Sequence, residues 1–144
     1  MSNRAITSAR NQFPGTVSAV TEGMVNTEVV LDIGGGSSVT AIITNASAKA
    51  LGLKAGAEAI AIFKASWVII SIDTGLRTSA RNVFKGKVKS AKAGAVNAEV
   101  IVELPGGREV AAIITNESLE ALGLKAGSEV CALVKSSHVI VGVK

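Results

Sequence analysis

From Ala59 to Phe63 the chain alternates small and large apolar residues, Ala-Ile-Ala-Ile-Phe. That period of two is what a half-buried strand requires. Four further segments of the first half read as strands: Thr16–Val20, Val25–Ile33, Val39–Ile43 and Val68–Ile72. The run Gly34-Gly35-Gly36 supplies a turn after the second of them. Between the third and fourth strands, Thr44 to Leu51 predicts about two turns of helix. Thr44 or Asn45 can cap its start. Gly52 falls where a left-handed residue closes a helix, and Leu53 can make the apolar contact that accompanies it. Five strands with a short helix between the third and fourth is the order of an OB-type barrel.

The pattern then repeats. Ser8 matches Ser79, an offset of 71, and at that offset the two halves align without a gap. Ser8-Ala9-Arg10-Asn11 returns as Ser79-Ala80-Arg81-Asn82, and Ala41-Ile42-Ile43-Thr44-Asn45 as Ala112-Ile113-Ile114-Thr115-Asn116. Leu51-Gly52-Leu53-Lys54-Ala55-Gly56 returns as Leu122-Gly123-Leu124-Lys125-Ala126-Gly127. About half of the aligned positions are identical, and two copies are too few for a solenoid. The chain is therefore expected to be all-β, with tandem five-stranded barrels over residues 1–73 and 74–144, joined near Asp73-Thr74-Gly75.

Composition adds an expectation of assembly. Apolar residues are 48% of the 144, but aromatics are only 3%, so the core must be aliphatic. Each copy has about 70 residues, a size at which a single core is marginal. Cys131 is the only cysteine, so no disulfide within the chain can help. Oligomerisation is the remaining source of stability. The start, Met1-Ser2-Asn3-Arg4, leads into no apolar signal segment. No run approaches the roughly 18 apolar residues of a membrane span. A cytoplasmic, non-membrane protein is expected, and the net charge of +4 fits an anionic partner.

Catalytic or metal-binding constellations are not evident. His138 is the only histidine, and the first copy has Trp67 in its place. Cys131 aligns with Ile60 on an alternating strand and reads as a small core residue. The duplicated carboxylates, Glu28/Glu99 and Glu58/Glu129, form no cluster and pair with no nucleophile. The duplicated donors are more informative. Arg10 and Arg81 follow Ser-Ala; Lys64 and Lys135 end the alternating strand; Thr44-x-x-Ser47 and Thr115-x-x-Ser118 open the helices. A helix start has unsatisfied N–H groups and partial positive charge. Thr-x-x-Ser is equally an ordinary cap, and a lone lysine an ordinary surface residue, so spacing alone leaves both readings open.

These strings resemble the Mop family of molybdate-binding domains. The likeness rests on Ser8-Ala9-Arg10-Asn11, Gly23-Met24-Val25-Asn26-Thr27-Glu28-Val29, Thr44-x-x-Ser47 and Lys64-Ala65-Ser66-Trp67-Val68, each with its second-copy counterpart. It covers nearly the whole chain and is similar to the two-domain molbindins. The resemblance implies an OB-type barrel, a homo-oligomer built as a trimer of two-domain chains, and oxyanions held between domains. One implied site uses Ser8, Ala9 and Arg10 with Lys64 and Ala65, completed by Thr44 and Ser47 of a neighbouring domain. The second uses Ser79, Ala80 and Arg81 with Lys135 and Ser136, and Thr115 and Ser118. Another class of site, near a symmetry axis, implicates Val25-Asn26 and Val96-Asn97. The sequence departs from the pattern at Met24, where the second copy has Ala95; at Pro14, which is expected to interrupt the first copy; and at Ala65, which lacks the hydroxyl of Ser136.

The implied function is recognition of molybdate, with tungstate as a surrogate, for molybdenum storage or homeostasis, and no enzymatic turnover. A donor-only site suits a dianion that accepts at every oxygen; phosphate, partly protonated near neutrality, would leave a P–OH unpaired. Two rivals are an oxyanion-responsive sensor or partner-binding module, and an OB-type nucleic-acid module. The latter needs aromatic stacking platforms, which this composition barely supplies.

Overall fold

The computed structural model describes residues 5–144. Its architecture follows from the first strand of each half. β1 (Asn11–Glu22) is 12 residues long and serves two neighbours in turn. Asn11 to Thr16 pairs with β4 (Glu58–Phe63), and Thr16 to Glu22 pairs with β2 (Asn26–Gly34). The bend between these duties is built into the sequence. Ser18 is passed over in the ladder, a bulge that curves a strand. At Gly15 a Cβ would collide with the Asp32 carbonyl oxygen, so only glycine allows the two strands to approach. The second half repeats both devices: β6 (Asn82–Ala93) bulges at Lys89, and a Cβ at Gly86 would strike the Glu103 carbonyl.

Pro14 does not interrupt β1, contrary to expectation. It pairs with Ile60, where β1 has a ladder on one side only. A missing N–H is tolerated at such a position.

β3 (Ser37–Thr44) pairs with β2, and α1 (Asn45–Ala50) follows. Thr44, not Asn45, is the cap, and Gly52 is left-handed at φ 65° as the sequence predicted. The corresponding elements are β7 (Asn97–Glu103), β8 (Glu109–Thr115), α2 (Asn116–Leu122) and β9 (Glu129–Val134). Two short strands complete the set, β5 (Ile69–Ser71) and β10 (Ile140–Gly142). Each follows a short 3-10 turn, Ala65–Trp67 and Ser136–His138, that the strand pattern did not reveal.

The two five-stranded antiparallel sheets have the order β10-β4-β1-β2-β3 and β5-β9-β6-β7-β8. This is the OB order, as expected. In each sheet the outer strands approach across the remaining seam, β10 beside β3 and β5 beside β8, so each forms a partly open barrel. The last strand of each sheet, however, comes from the other repeat. Val141 pairs with Ala61, and Ile70 pairs with Ala132. One compact unit therefore comprises residues 1–63 and 135–144, and the other residues 64–134. Sequence repeats 1–73 and 74–144 are not the same division as these units. A short strand can complete either sheet when its partners are near-identical, and β5 and β10 are such strands.

The core of the first unit is aliphatic around one aromatic contact. Phe13 meets Phe63 edge to face, with centroids 5.5 Å apart, beside buried Val17, Val29, Leu31 and Val39. The second unit packs Phe84 with Val88, Val100, Val102, Val110 and Val130. The alternation in β4 predicted one buried face, yet Ala59, Ile60, Ala61 and Phe63 are all buried. β4 is flanked on both edges and covered on both faces. Its counterpart β9 is likewise buried from Val130 to Val134, Cys131 included, as a core cysteine should be.

Candidate anion-binding site

The helix starts come first because their geometry is fully defined. Thr44 Oγ1 accepts from the Ser47 backbone N–H at 3.1 Å, and its hydroxyl donates to Ser47 Oγ at 2.8 Å. Thr115 and Ser118 repeat this at 3.0 and 2.9 Å. The Thr-x-x-Ser pairs are thus true caps. They also form a relay. Because each serine oxygen accepts from the threonine, the serine keeps its own proton to donate elsewhere. All four side chains are exposed. With helices of only 6 and 7 residues, the hydroxyls rather than any extended dipole are what these corners offer an anion.

The cap is bolted to the neighbouring turn. Gly23 N–H donates to the Asn26 carbonyl at 2.8 Å, closing Gly23–Asn26. Asn45 Nδ2 donates to the Gly23 carbonyl at 3.1 Å, and Asn45 Oδ1 accepts from the Thr27 hydroxyl at 2.6 Å. Val25-Asn26 and Thr44-Ser47, assigned by sequence to different classes of site, therefore share one corner of the unit. The second half has the same turn at Gly94–Asn97, held by Asn116 Nδ2 at 3.0 Å. Val25, Asn26, Val96 and Asn97 are all exposed. Asn45 and Asn116 were noticed in the sequence only as a possible cap and as part of a repeated string. Their duplication beside the glycine turn was the signal that could have marked them as connectors.

The Ser-Ala-Arg segments lie at the start of β1 and β6. Ser8 and Arg10 are exposed, and Ala9 is half-buried. The Ala9 N–H donates to Thr7 Oγ1 at 3.1 Å, and Ala80 N–H to Thr78 Oγ1 at 3.2 Å. An anion using either amide must share it with that threonine. Gln12, buried, fastens the first segment: its Nε2 donates to Thr7 Oγ1 and to the Ala9 carbonyl, and its Oε1 accepts from Ala5 N–H. Val83 stands at the equivalent position, so Ser79, Ala80 and Arg81 lack that clamp. Thr7, Thr78 and Gln12 were not foreseen. The two threonines could have been found, since they extend the repeated string by one residue.

Lys64 and Lys135 sit at the entry to the 3-10 turns, both exposed. Lys64 Nζ lies 5.7 Å from the Trp67 ring centroid, a cation–π contact that restrains it. His138 takes the place of Trp67 in the second copy. Ala65 is buried and Ser136 half-buried. The strand exchange regroups these residues. The turn Ser136–His138 packs on β3, so Lys135 and Ser136 share a unit with Thr44 and Ser47. The turn Ala65–Trp67 packs on β8, which places Lys64 and Ala65 with Thr115 and Ser118.

Within a unit the ladder does not bring the arginine and the cap together. Arg10 precedes Asn11 at one end of β1. The cap belongs to the other end, where Glu22 pairs with Thr27 and reaches Lys49 at 3.9 Å. Arg81 and the Thr115 cap stand in the same relation along β6. No group of three or more His, Cys, Asp or Glu residues that could hold a metal ion occurs among the described residues. No helix of the described residues is long and apolar enough to cross a membrane.

The chain matches the model of the TOBE domain twice, over residues 7–70 and 78–141. It is 41% identical over 139 residues to the molybdenum transport protein ModE of Herbaspirillum seropedicae, covering 96% of this chain and 52% of ModE. It is 44% identical over 139 residues to the molybdenum-pterin-binding protein MopA of Rhodobacter capsulatus, covering 95% of this chain and 52% of MopA. The chain spans about half the length of these curated relatives. It also superposes on the crystal structure of the cytoplasmic molybdate-binding protein ModG with molybdate bound. The TM-score is 0.93 and the identity 48%, covering 97% of this chain and 100% of that one.

Proposed function

We propose that this chain, which belongs to the TOBE-domain family in both of its halves, binds molybdate in the cytoplasm and serves molybdenum storage or homeostasis. Tungstate, nearly the same size and charge, is expected to bind as a surrogate. The observation that carries the proposal is a set of cationic and hydroxyl donors duplicated in register in the two halves. Exposed lysines and arginines and exposed cap hydroxyls recur in both halves, on a chain 48% identical to a molybdate-binding protein over 97% of its length.

The chemistry favours this ligand. Molybdate accepts hydrogen bonds on all sides, and bonds to charged donors contribute roughly 1.5–3 kcal/mol each. Micromolar affinity needs about 8 kcal/mol after the cost of immobilisation, which a few such bonds supply. Arg10 and the Thr44 cap stand at opposite ends of β1, so a site using both must take them from different domains. This supports a homo-oligomer, and a trimer of two-domain chains is the arrangement we favour. The protein acts by recognition and not by turnover. A nucleic-acid role is disfavoured, because Phe13, Phe63 and Phe84 are all core residues and cannot serve as stacking platforms. Since the match to ModE spans about half of that protein, a sensory role within a larger assembly is the second reading.

Titration calorimetry tests the ligand. Molybdate and tungstate should bind at micromolar concentration or below, with sulfate and phosphate weaker by at least about tenfold. Absence of molybdate binding, or equal affinity for sulfate, would overturn the assignment.

A further inference from the structure

The two glycine turns are held by the same asparagine bond but not by the same asparagine environment. Asn45 is locked at both ends of its amide. The Gly23 carbonyl can only accept, so Nδ2 must face it, and Oδ1 is thereby aimed at Thr27. The Thr27 hydroxyl, 1% exposed on β2, completes the lock. In the second half Ala98 occupies the position of Thr27, also fully buried. Asn116 Oδ1 is consequently buried with no protein group donating to it, while Nδ2 still holds the Gly94 carbonyl. A buried acceptor without a donor is unfavourable, so Asn116, with one amide bond and an unmet acceptor, is held less firmly than Asn45 with two.

We infer that Thr27 is a positioning residue for the Gly23–Asn26 turn, and that the Thr27/Ala98 difference makes the two turns unequal anion sites, the first prearranged and the second not. The inference rests on the proposed use of Val25-Asn26 and Val96-Asn97 as oxyanion contacts. Thr27 touches no anion itself. It fixes Asn45, Asn45 fixes the Gly23 carbonyl, and the turn presents its backbone without first having to be ordered. At Gly94–Asn97 part of the binding energy is spent on that ordering.

The amide protons of Gly23 and Gly94 report the difference directly. Each donates to the carbonyl three residues on, at 2.8 Å in both halves. In the ligand-free protein, hydrogen exchange at Gly23, corrected for intrinsic rate, should be slower than at Gly94 by about five- to tenfold, the worth of one net hydrogen bond. Thr27→Val, which keeps the shape and removes the hydroxyl, should bring Gly23 to the Gly94 rate. It should also weaken molybdate at the first turn by about the same factor and leave the second unchanged. Thr27→Ser should restore both values, and Ala98→Thr should slow Gly94 and tighten the second turn. Equal exchange at Gly23 and Gly94 in the parent would overturn the inference. So would a Thr27→Val variant that melts lower but keeps Gly23 protection and first-turn affinity, because Thr27 would then be a packing residue only. If the parent binds no molybdate, the proposed function fails and the unequal-site claim with it. The exchange rates still decide whether Thr27 positions the turn.

Discussion

At the scale of the residue, the cap threonines are proposed to serve stability and recognition with one side chain. Thr115 accepts from the Ser118 N–H and donates to the Ser118 hydroxyl. Thr115→Ala should therefore lose about 1 kcal/mol of stability as an N-cap, and on the proposed site should weaken molybdate because Ser118 loses the bond that holds its hydroxyl in place. Thr115→Ser should keep both, as measured by thermal melts beside calorimetry. Arg81 and Lys135 differ in kind, since both side chains are exposed and outside the core. Arg81→Ala and Lys135→Ala are expected to leave the ligand-free melt nearly unchanged. Each should cost about 2–4 kcal/mol in binding at one class of site, through loss of a charge-assisted partner. Full affinity in both variants would remove these residues from the site. A large drop in melting temperature would make them structural instead.

At the scale of the element, most of the fold was legible because its signals are local. The cap at Thr44, the left-handed Gly52, the core position of Cys131 and the strand between Ala59 and Phe63 all follow from nearest-neighbour chemistry. The first strand was read too short, as Thr16–Val20, because Pro14 and Gly15 look like breakers when the ladder around them is unknown. The exchange of the last strands had no local signal at all. Val68-Ile69-Ile70 and Val139-Ile140-Val141 carry the same pattern, so either could complete either sheet. The site was legible to the same extent: duplicated donors could be listed, but which of them share a unit depends on the exchange. A prediction follows for Val141, which is buried against β4 and pairs with Ala61. Val141→Ala removes two buried carbons, a loss of about 2 kcal/mol. It should speed amide exchange in β1 and β4, near the other end of the sequence, and spare β6 and β9. Ile70→Ala should do the reverse. If each substitution loosens its own repeat instead, the strands are not exchanged in solution.

At the scale of the whole molecule, we propose that assembly and ligand are coupled through what the chain leaves uncovered. Met24 is 101% exposed, Val25 75% and Val96 77%, and these apolar residues sit in the glycine turns proposed as oxyanion contacts. Ile69 and Ile140 face outward from the short strands β5 and β10. Scattered surface aliphatics need no explanation, but apolar tips on both proposed anion-binding turns do, because an exposed valine gives a dianion nothing. Covered by copies of the same turn, they would exclude water and strengthen the backbone donors beside them. The expected state is therefore a homo-oligomer, a trimer on our proposal, present before ligand is added. Bound molybdate should stabilise it further, since a ligand held only by the assembled form shifts the equilibrium by mass action. Native mass spectrometry across a dilution series, with and without molybdate, measures subunit and anion counts in the same spectrum. Anions should appear on the oligomer and not on dissociated chains. Met24→Asp with Val96→Asp should lower the oligomer fraction and the anion count together, while Ile69→Asp should change the anion count only as far as it changes assembly. A monomer that binds molybdate at full affinity would show that one chain completes the site, and the placement of Arg10 and the Thr44 cap at opposite ends of β1 would need another explanation.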